Sequence, residues 1–161
     1  MLIEIARIIT AAAISWALFV AVDLVFRLPE RGGVSGARAI AAAVAEKGGS
    51  LHGGSMMGNI VCSPDASAGT LLAACGVAIA GIPGGLAAAA LVFIGNRICH
   101  DPGYAGTCGA VLATGVITAA SYAGLAPEDF IAGMVLAILS IQGLSHIHAS
   151  RLLEKLWGWR A

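Results

Sequence analysis

Charge is what this chain has least of. Only 11% of its 161 residues are Asp, Glu, Lys or Arg, against about 25% in an ordinary soluble domain. A fold this small needs a polar skin, because most of its residues lie near its surface. With so little charge, lipid is expected to replace water over much of that surface. Nine basic and nine acidic residues cancel, so no basic excess points to nucleic acid. The four cysteines, Cys62, Cys75, Cys99 and Cys108, contain no C-x-x-C pair, so no zinc or redox motif is indicated. They read as buried free thiols, with a Cys99–Cys108 disulfide as the alternative. A phosphate loop, a Ser–His–Asp arrangement and zinc spacing are also missing, so neither a catalytic residue nor a metal or cofactor site is expected. The N-terminus does not read as a signal peptide, because Glu4 precedes Arg7 and the apolar run is long. A retained first span is expected instead.

What the chain has in quantity is apolar runs, at 58% hydrophobic residues. About 20 apolar residues cross the ~30 Å hydrocarbon layer. Residues 8–26 qualify, closed by Arg27, with Asp23 about one turn from the end. Asp23 reaches the interface or pairs with Arg27 in one reading, and serves as an ion or proton site in the other. Residues 27–65 are the polar part, with a linker at Leu28–Gly33 and an Ala-rich amphipathic helix over 34–46. Gly48 to Asn59 follows, a stretch too rich in glycine to form a stable isolated helix. Ser63-Pro64-Asp65 reads as a helix start.

An apolar run then continues to Ile94, broken by Pro83, Gly84 and Gly85. It is either one kinked helix or two half-helices in a re-entrant hairpin. Further spans are expected at 104–125 and 130–149, the last opened by Glu128 and Asp129 at its positive dipole end. A basic amphipathic tail over 150–161 carries Trp157 and Trp159 as interface anchors. If 66–95 returns to its own side, Arg27, Arg31, Arg38, Lys47, Arg97, Arg151, Lys155 and Arg160 lie together and Arg7 alone lies opposite. The positive-inside rule prefers that topology to four full crossings. The expectation is an all-α, multi-pass protein of the cell membrane, a single membrane domain of three to four transmembrane helices with a broken or re-entrant segment.

Charged groups at membrane depth are costly unless paired or functional. Asp23, Asp65 and Asp101, with Asn59 in the glycine stretch, are therefore the ion-binding candidates. Broken helices with nearby carboxylates and free carbonyls are a recurring way to hold Na⁺ or H⁺. Capping and turn formation account for Asp65 and Asp101 without function, since each adjoins a proline. His146 and His148 stand two apart and face different ways on a helix, and His52 and His100 are isolated. Small-xxx-small pairs such as Gly54/Gly58, Gly81/Gly85 and Gly106/Ala110 suit close helix contact. They suggest other membrane subunits or a homo-oligomer as partners.

The glycine stretch at 48–58, Ser67-Ala68-Gly69, Gly81-Ile82-Pro83-Gly84-Gly85 and His100-Asp101-Pro102 resemble methanogen energy-coupling membrane proteins. Over residues 48–125 the chain is similar in texture to membrane subunits of the Na⁺-pumping tetrahydromethanopterin S-methyltransferase. Small membrane subunits of energy-converting hydrogenases are a second match. Either resemblance implies an archaeal, non-catalytic membrane part, with the chemistry on soluble partners at the cytoplasmic side. Two functions follow: an ion-translocating subunit coupling Na⁺ or H⁺, or an anchor that only docks soluble subunits.

Overall fold

The computed structural model describes residues 1–26, 35–62, 69–98, 104–143 and 146–158. Among them every regular element is helical: α1 Leu2–Phe26, α2 Ser35–Glu46, α3 Leu51–Cys62, α4 Gly69–Ile98, α5 Ala105–Tyr122, α6 Pro127–Gly143 and α7 His146–Gly158. By total length and composition three of these, α1, α4 and α5, could cross a membrane, and α6, at 17 residues, is nearly as long.

Helix α4 does not run straight. Ala80 (φ −140°, ψ 19°) and Gly81 (φ 61°, ψ −148°) interrupt it, and the combination at Gly81 is essentially restricted to glycine. The break thus falls just upstream of the expected Pro83-Gly84-Gly85. In a continuous helix the Pro83 ring would strike the carbonyl one turn before it. Placed after the break, Pro83 sits in the first turn of a new helical arm, where its missing N–H costs nothing. Gly84 and Gly85 have a different task. A Cβ on Gly76 would collide with the Gly84 carbonyl, and a Cβ on Gly84 with the Gly76 carbonyl. Residues eight apart would be about 12 Å apart along a straight helix, so the chain doubles back and its two arms touch backbone to backbone. One face of Gly85 abuts Val77 and the Thr114 side chain of α5, joining the hairpin to its main neighbour.

The other helices line up around this hairpin. Helices α1 and α6 run parallel: Gly133 packs on Ala11 and Ala12, and the Trp16 indole N–H donates to Ser140 Oγ at 2.8 Å. Helix α5 runs against them, since Ala105 at its start packs with Val22 near the end of α1. Its own end is a Schellman turn, with Gly124 at φ 87°, Leu125 N–H on the Ala120 carbonyl and Gly124 N–H on that of Ser121. Helix α6 then opens on Pro127, and Asp129 Oδ2 accepts from the Ala126 N–H at 2.8 Å, which satisfies a first-turn donor. At the other end of the bundle Phe93 of α4 stacks on Tyr104, with ring centroids 6.0 Å apart.

The bundle therefore has an amino-terminal end, with Met1, the α5–α6 turn and the α4 hairpin tip, and an opposite end, with Lys47, Arg97, Arg151 and Lys155. Large apolar side chains stay outside it, among them Ile3, Ile79, Leu91 and Leu112. Most of α4 is left uncovered by the rest of the chain, so that helix must meet lipid or protein partners.

Two expectations are corrected. The glycine-rich stretch expected to stay irregular is helical from Leu51, because tertiary contact outweighs propensity. Gly54 admits the Ala41 Cα of α2, 3.1 Å from where its own Cβ would stand. Gly53 lies against the Ser150 backbone of α7, and Ser50 caps the helix by accepting from the Gly53 N–H at 3.0 Å. The last span also ends earlier than 149. Helix α6 stops at Gly143 and α7 is a separate helix held across the opposite end. There Ser150 Oγ accepts from the Ser50 N–H at 3.0 Å, Arg151 donates to the Gly48 carbonyl at 2.9 Å, and Leu153 enters the core. Cys75 and Cys108 are free thiols; Cys99 lies outside the described residues.

The hairpin predicts an order of tolerance. Alanine at Gly76 or Gly84 is expected to cost about 1–3 kcal/mol through overpacking. Alanine at Gly81 has room but the wrong backbone, at about 1–2 kcal/mol. Gly115 also has open space and lies in ordinary helix, so its alanine variant is expected to be neutral or to gain up to ~1 kcal/mol. Unfolding of the four variants in detergent micelles checks the order; equal stability of Gly84→Ala and Gly115→Ala would contradict a closed hairpin.

Candidate functional site

The four ion-binding candidates fall at the edges of the described structure. Asp23 is in the last turn of α1 and Asn59 in α3, but their side chains lie outside the described residues, as do Asp65 and Asp101 entirely. His100, Trp159 and Arg160 also lie outside, and so do the side chains of His146 and Trp157. What the structure supplies is the helices on either side of each candidate.

Asp65 falls between α3 and α4 in the sequence. Helix α3 starts at the basic end of the bundle beside Ser150, and its Met57 is fully buried. It packs on α1, α2, α6 and α7 rather than alongside α4. The first arm of α4, residues 69–79, begins with buried Gly69 and Thr70 and rises about 16 Å. The second arm, residues 82–98, rises about 25 Å, so the first begins about 9 Å short of the length the second covers. Helix α3, at 12 residues, adds about 18 Å. The two pieces together make about 34 Å, the length of one membrane crossing. They are joined in sequence by residues 63–68, which carry Asp65. A helix C-terminus leaves carbonyls without partners and a helix N-terminus leaves N–H groups. The ends of α3 and α4 that border this connection therefore bring opposite partial charges.

Tip and interior are chemically quieter. Ala80 to Pro83 are exposed, and broken backbone is not tolerated against lipid tails. The tip satisfies this by its level: Ile82 shares a groove with Tyr122, the last residue of α5, before the turn into α6 and its acidic first turn. Inside the bundle, hydroxyls turn back on their own helices. Ser15 donates to the Ala11 carbonyl at 2.7 Å, Thr114 to that of Ala110 at 2.8 Å, and Thr118 to that of Thr114 at 2.7 Å. Thr107 Oγ1 is buried without a partner. Among the described residues no charged side chain is buried, and no group of three His, Cys, Asp or Glu could hold a metal. His52 Nδ1 faces Glu154 at 3.8 Å on the exposed surface of the basic end.

Sequence reading missed the Gly76–Gly84 contact. A usable signal was there: the two glycines lie four residues either side of Ala80, which is where a hairpin hinged at Ala80–Gly81 needs small residues on both arms. The Trp16–Ser140 bond and the docking of α7 on α3 had no local signal, since each joins residues about a hundred or more positions apart.

No curated protein and no solved structure matches the chain. A family model described as EhaB-like matches residues 4–160, which takes in nearly all of the chain and reaches every helix described. Of the two resemblances seen in the sequence, it is the hydrogenase one that this match supports. The chain belongs to the EhaB-like family, consistent with a membrane subunit of an energy-converting hydrogenase.

Proposed function

We propose that this chain is an ion-coupling subunit of an energy-converting hydrogenase-type complex, multi-pass in the cell membrane, and that Asp65 is its coupling carboxylate. The observation that carries the reading is the broken crossing. Helix α3 and the first arm of α4 together have the length of one crossing, and a carboxylate lies in the short connection between them. In a low-dielectric setting, free carbonyls from one half-helix and a carboxylate beside the next form a cation or proton site. The uncharged interior supports this placement, because a carboxylate there has no competing partner among the described residues. Orientation follows from charge. Lys47, Arg97, Arg151 and Lys155 share one end of the bundle and Arg7 the other, so the basic end faces the cytoplasm. Asp23 and Asp101 adjoin helix ends on that basic side, where water and headgroups can solvate them.

One observation favours the second reading, a docking anchor. At the basic end α7 presents Arg151, Leu152 and Lys155 to the outside, with Leu152 59% exposed, beside exposed Leu51 on α3. An amphipathic surface of this kind suits a soluble subunit, with the hydrogenase chemistry residing there.

Asparagine at each aspartate separates the readings. In the assembled complex, Asp65→Asn is expected to lower Na⁺- or H⁺-coupled turnover on the order of tenfold, with subunit composition unchanged. Asp23→Asn and Asp101→Asn are expected to stay within about twofold, as for solvated carboxylates. Full coupling in all three variants, with normal assembly, would leave the anchor reading standing.

A further inference from the structure

We propose that the outer face of α6 is a homodimer interface, in which Glu128 of one copy pairs with Arg7 of the other. A shallow, almost wholly apolar groove of about 660 Å³ runs along this face. Its floor and walls are Ile8 of α1 with Ile131, Ala132, Val135, Leu136 and Leu139 of α6. On α6 these residues and Glu128 recur at three- and four-residue intervals over about 16 Å, the seam a packed helix requires. Val135, Leu136 and Leu139 are 41%, 45% and 56% exposed, so the chain itself does not cover the stripe.

The charges at its mouth identify the occupant. At the amino-terminal end of the bundle the other acids are engaged. Glu4 pairs with the N-terminal ammonium at 3.0 Å, and Asp129 takes the Ala126 N–H. Glu128 and Arg7 are both exposed, and among the described residues neither has an ion pair. Among the described residues Arg7 is the basic side chain of that end, and it adjoins Ile8, which lines the groove. Two copies related by a two-fold axis along the membrane normal keep the same ends together. Each copy then sets its Arg7 beside the other's Glu128 and its Glu128 beside the other's Arg7, as an isologous interface demands. Between helices in lipid the apolar drive is weak, so packing and such polar pairs set the association. The inference concerns a different face from the α3–α4 junction and stands whether or not Asp65 couples an ion.

Cross-linking of the full chain in lipid nanodiscs tests it. With the four native cysteines replaced by serine, Val135→Cys and Leu139→Cys are each expected to oxidise to a species of twice the chain mass. Leu112→Cys, exposed on α5, is the control and is expected to stay monomeric. Adding Glu128→Arg is expected to lower the cross-linked fraction about fivefold, and adding Arg7→Glu as well to restore it to within about twofold. Circular dichroism checks that each variant keeps its helix content, and the Val135→Cys chain tests the interface without any charge change. Val135→Cys and Leu139→Cys remaining monomeric, cross-linking equally at Leu112, or failing to recover with the charge swap would each overturn the proposal.

Discussion

Two glycine α-carbons pressed against each other's carbonyl groups hold the rest of this structure in place. Backbone contact between Gly76 and Gly84 lets a single apolar run of thirty residues turn on itself instead of projecting beyond any bilayer. Once α4 is folded, its second arm can lie along α5, with Gly85 against Thr114 and Phe93 on Tyr104. Its first arm is then left as a half-helix whose buried start faces back toward α3. The same contact puts both ends of α4 on the side of the bundle away from the N-terminus, and Arg97 with them. Interior aliphatic packing alone would not achieve this, since lipid tails compete equally for Leu and Ile. Small residues are what allow the backbones to meet.

The remainder of the bundle repeats that solution. Gly133 admits α1, Gly54 admits α2 and Gly53 admits α7, so each helix is held by close approach at one or two points. The core they enclose is largely alanine, filled by a few large side chains such as Phe19, Phe130 and Met134. Ser15, Thr114 and Thr118 donate to carbonyls of their own helices, and no charged group among the described residues is buried there. Such an interior resists water, which is useful in a membrane subunit of a complex that conserves energy.

Much of this was legible in the residues. Scarce charge and long apolar runs identified a helical membrane protein, and Pro83 marked α4 as broken. Pro127 with Glu128 and Asp129 announced the start of α6, because those residue types act locally on the first helical turn. Of the basic residues expected on one side, Lys47, Arg97, Arg151 and Lys155 are among the described residues. The α3 helix was not legible, since glycine disfavours a helix in isolation and the contacts that stabilise it come from Ala41, Val44 and Ser150 elsewhere in the chain. Nor was the exact hinge: proline signals that a helix must stop, but Gly81 supplied the positive φ that let the chain reverse. As for the candidate site, the sequence offered Asp23, Asp65 and Asp101 together, because each is a carboxylate near the end of an apolar run, and the buried start of α4 needed three dimensions.

The central claim is that α4 makes a closed hairpin whose tip reaches the amino-terminal side of the membrane. Side-specific labelling of single cysteines placed at Ile82 and at Arg97, in sealed vesicles of known orientation, tests it most directly. The account predicts that a membrane-impermeant maleimide reaches the Ile82 position only from the side of the N-terminus and the Arg97 position only from the other. Labelling of both positions from one side, or an Ile82 position unreactive from either, would contradict it.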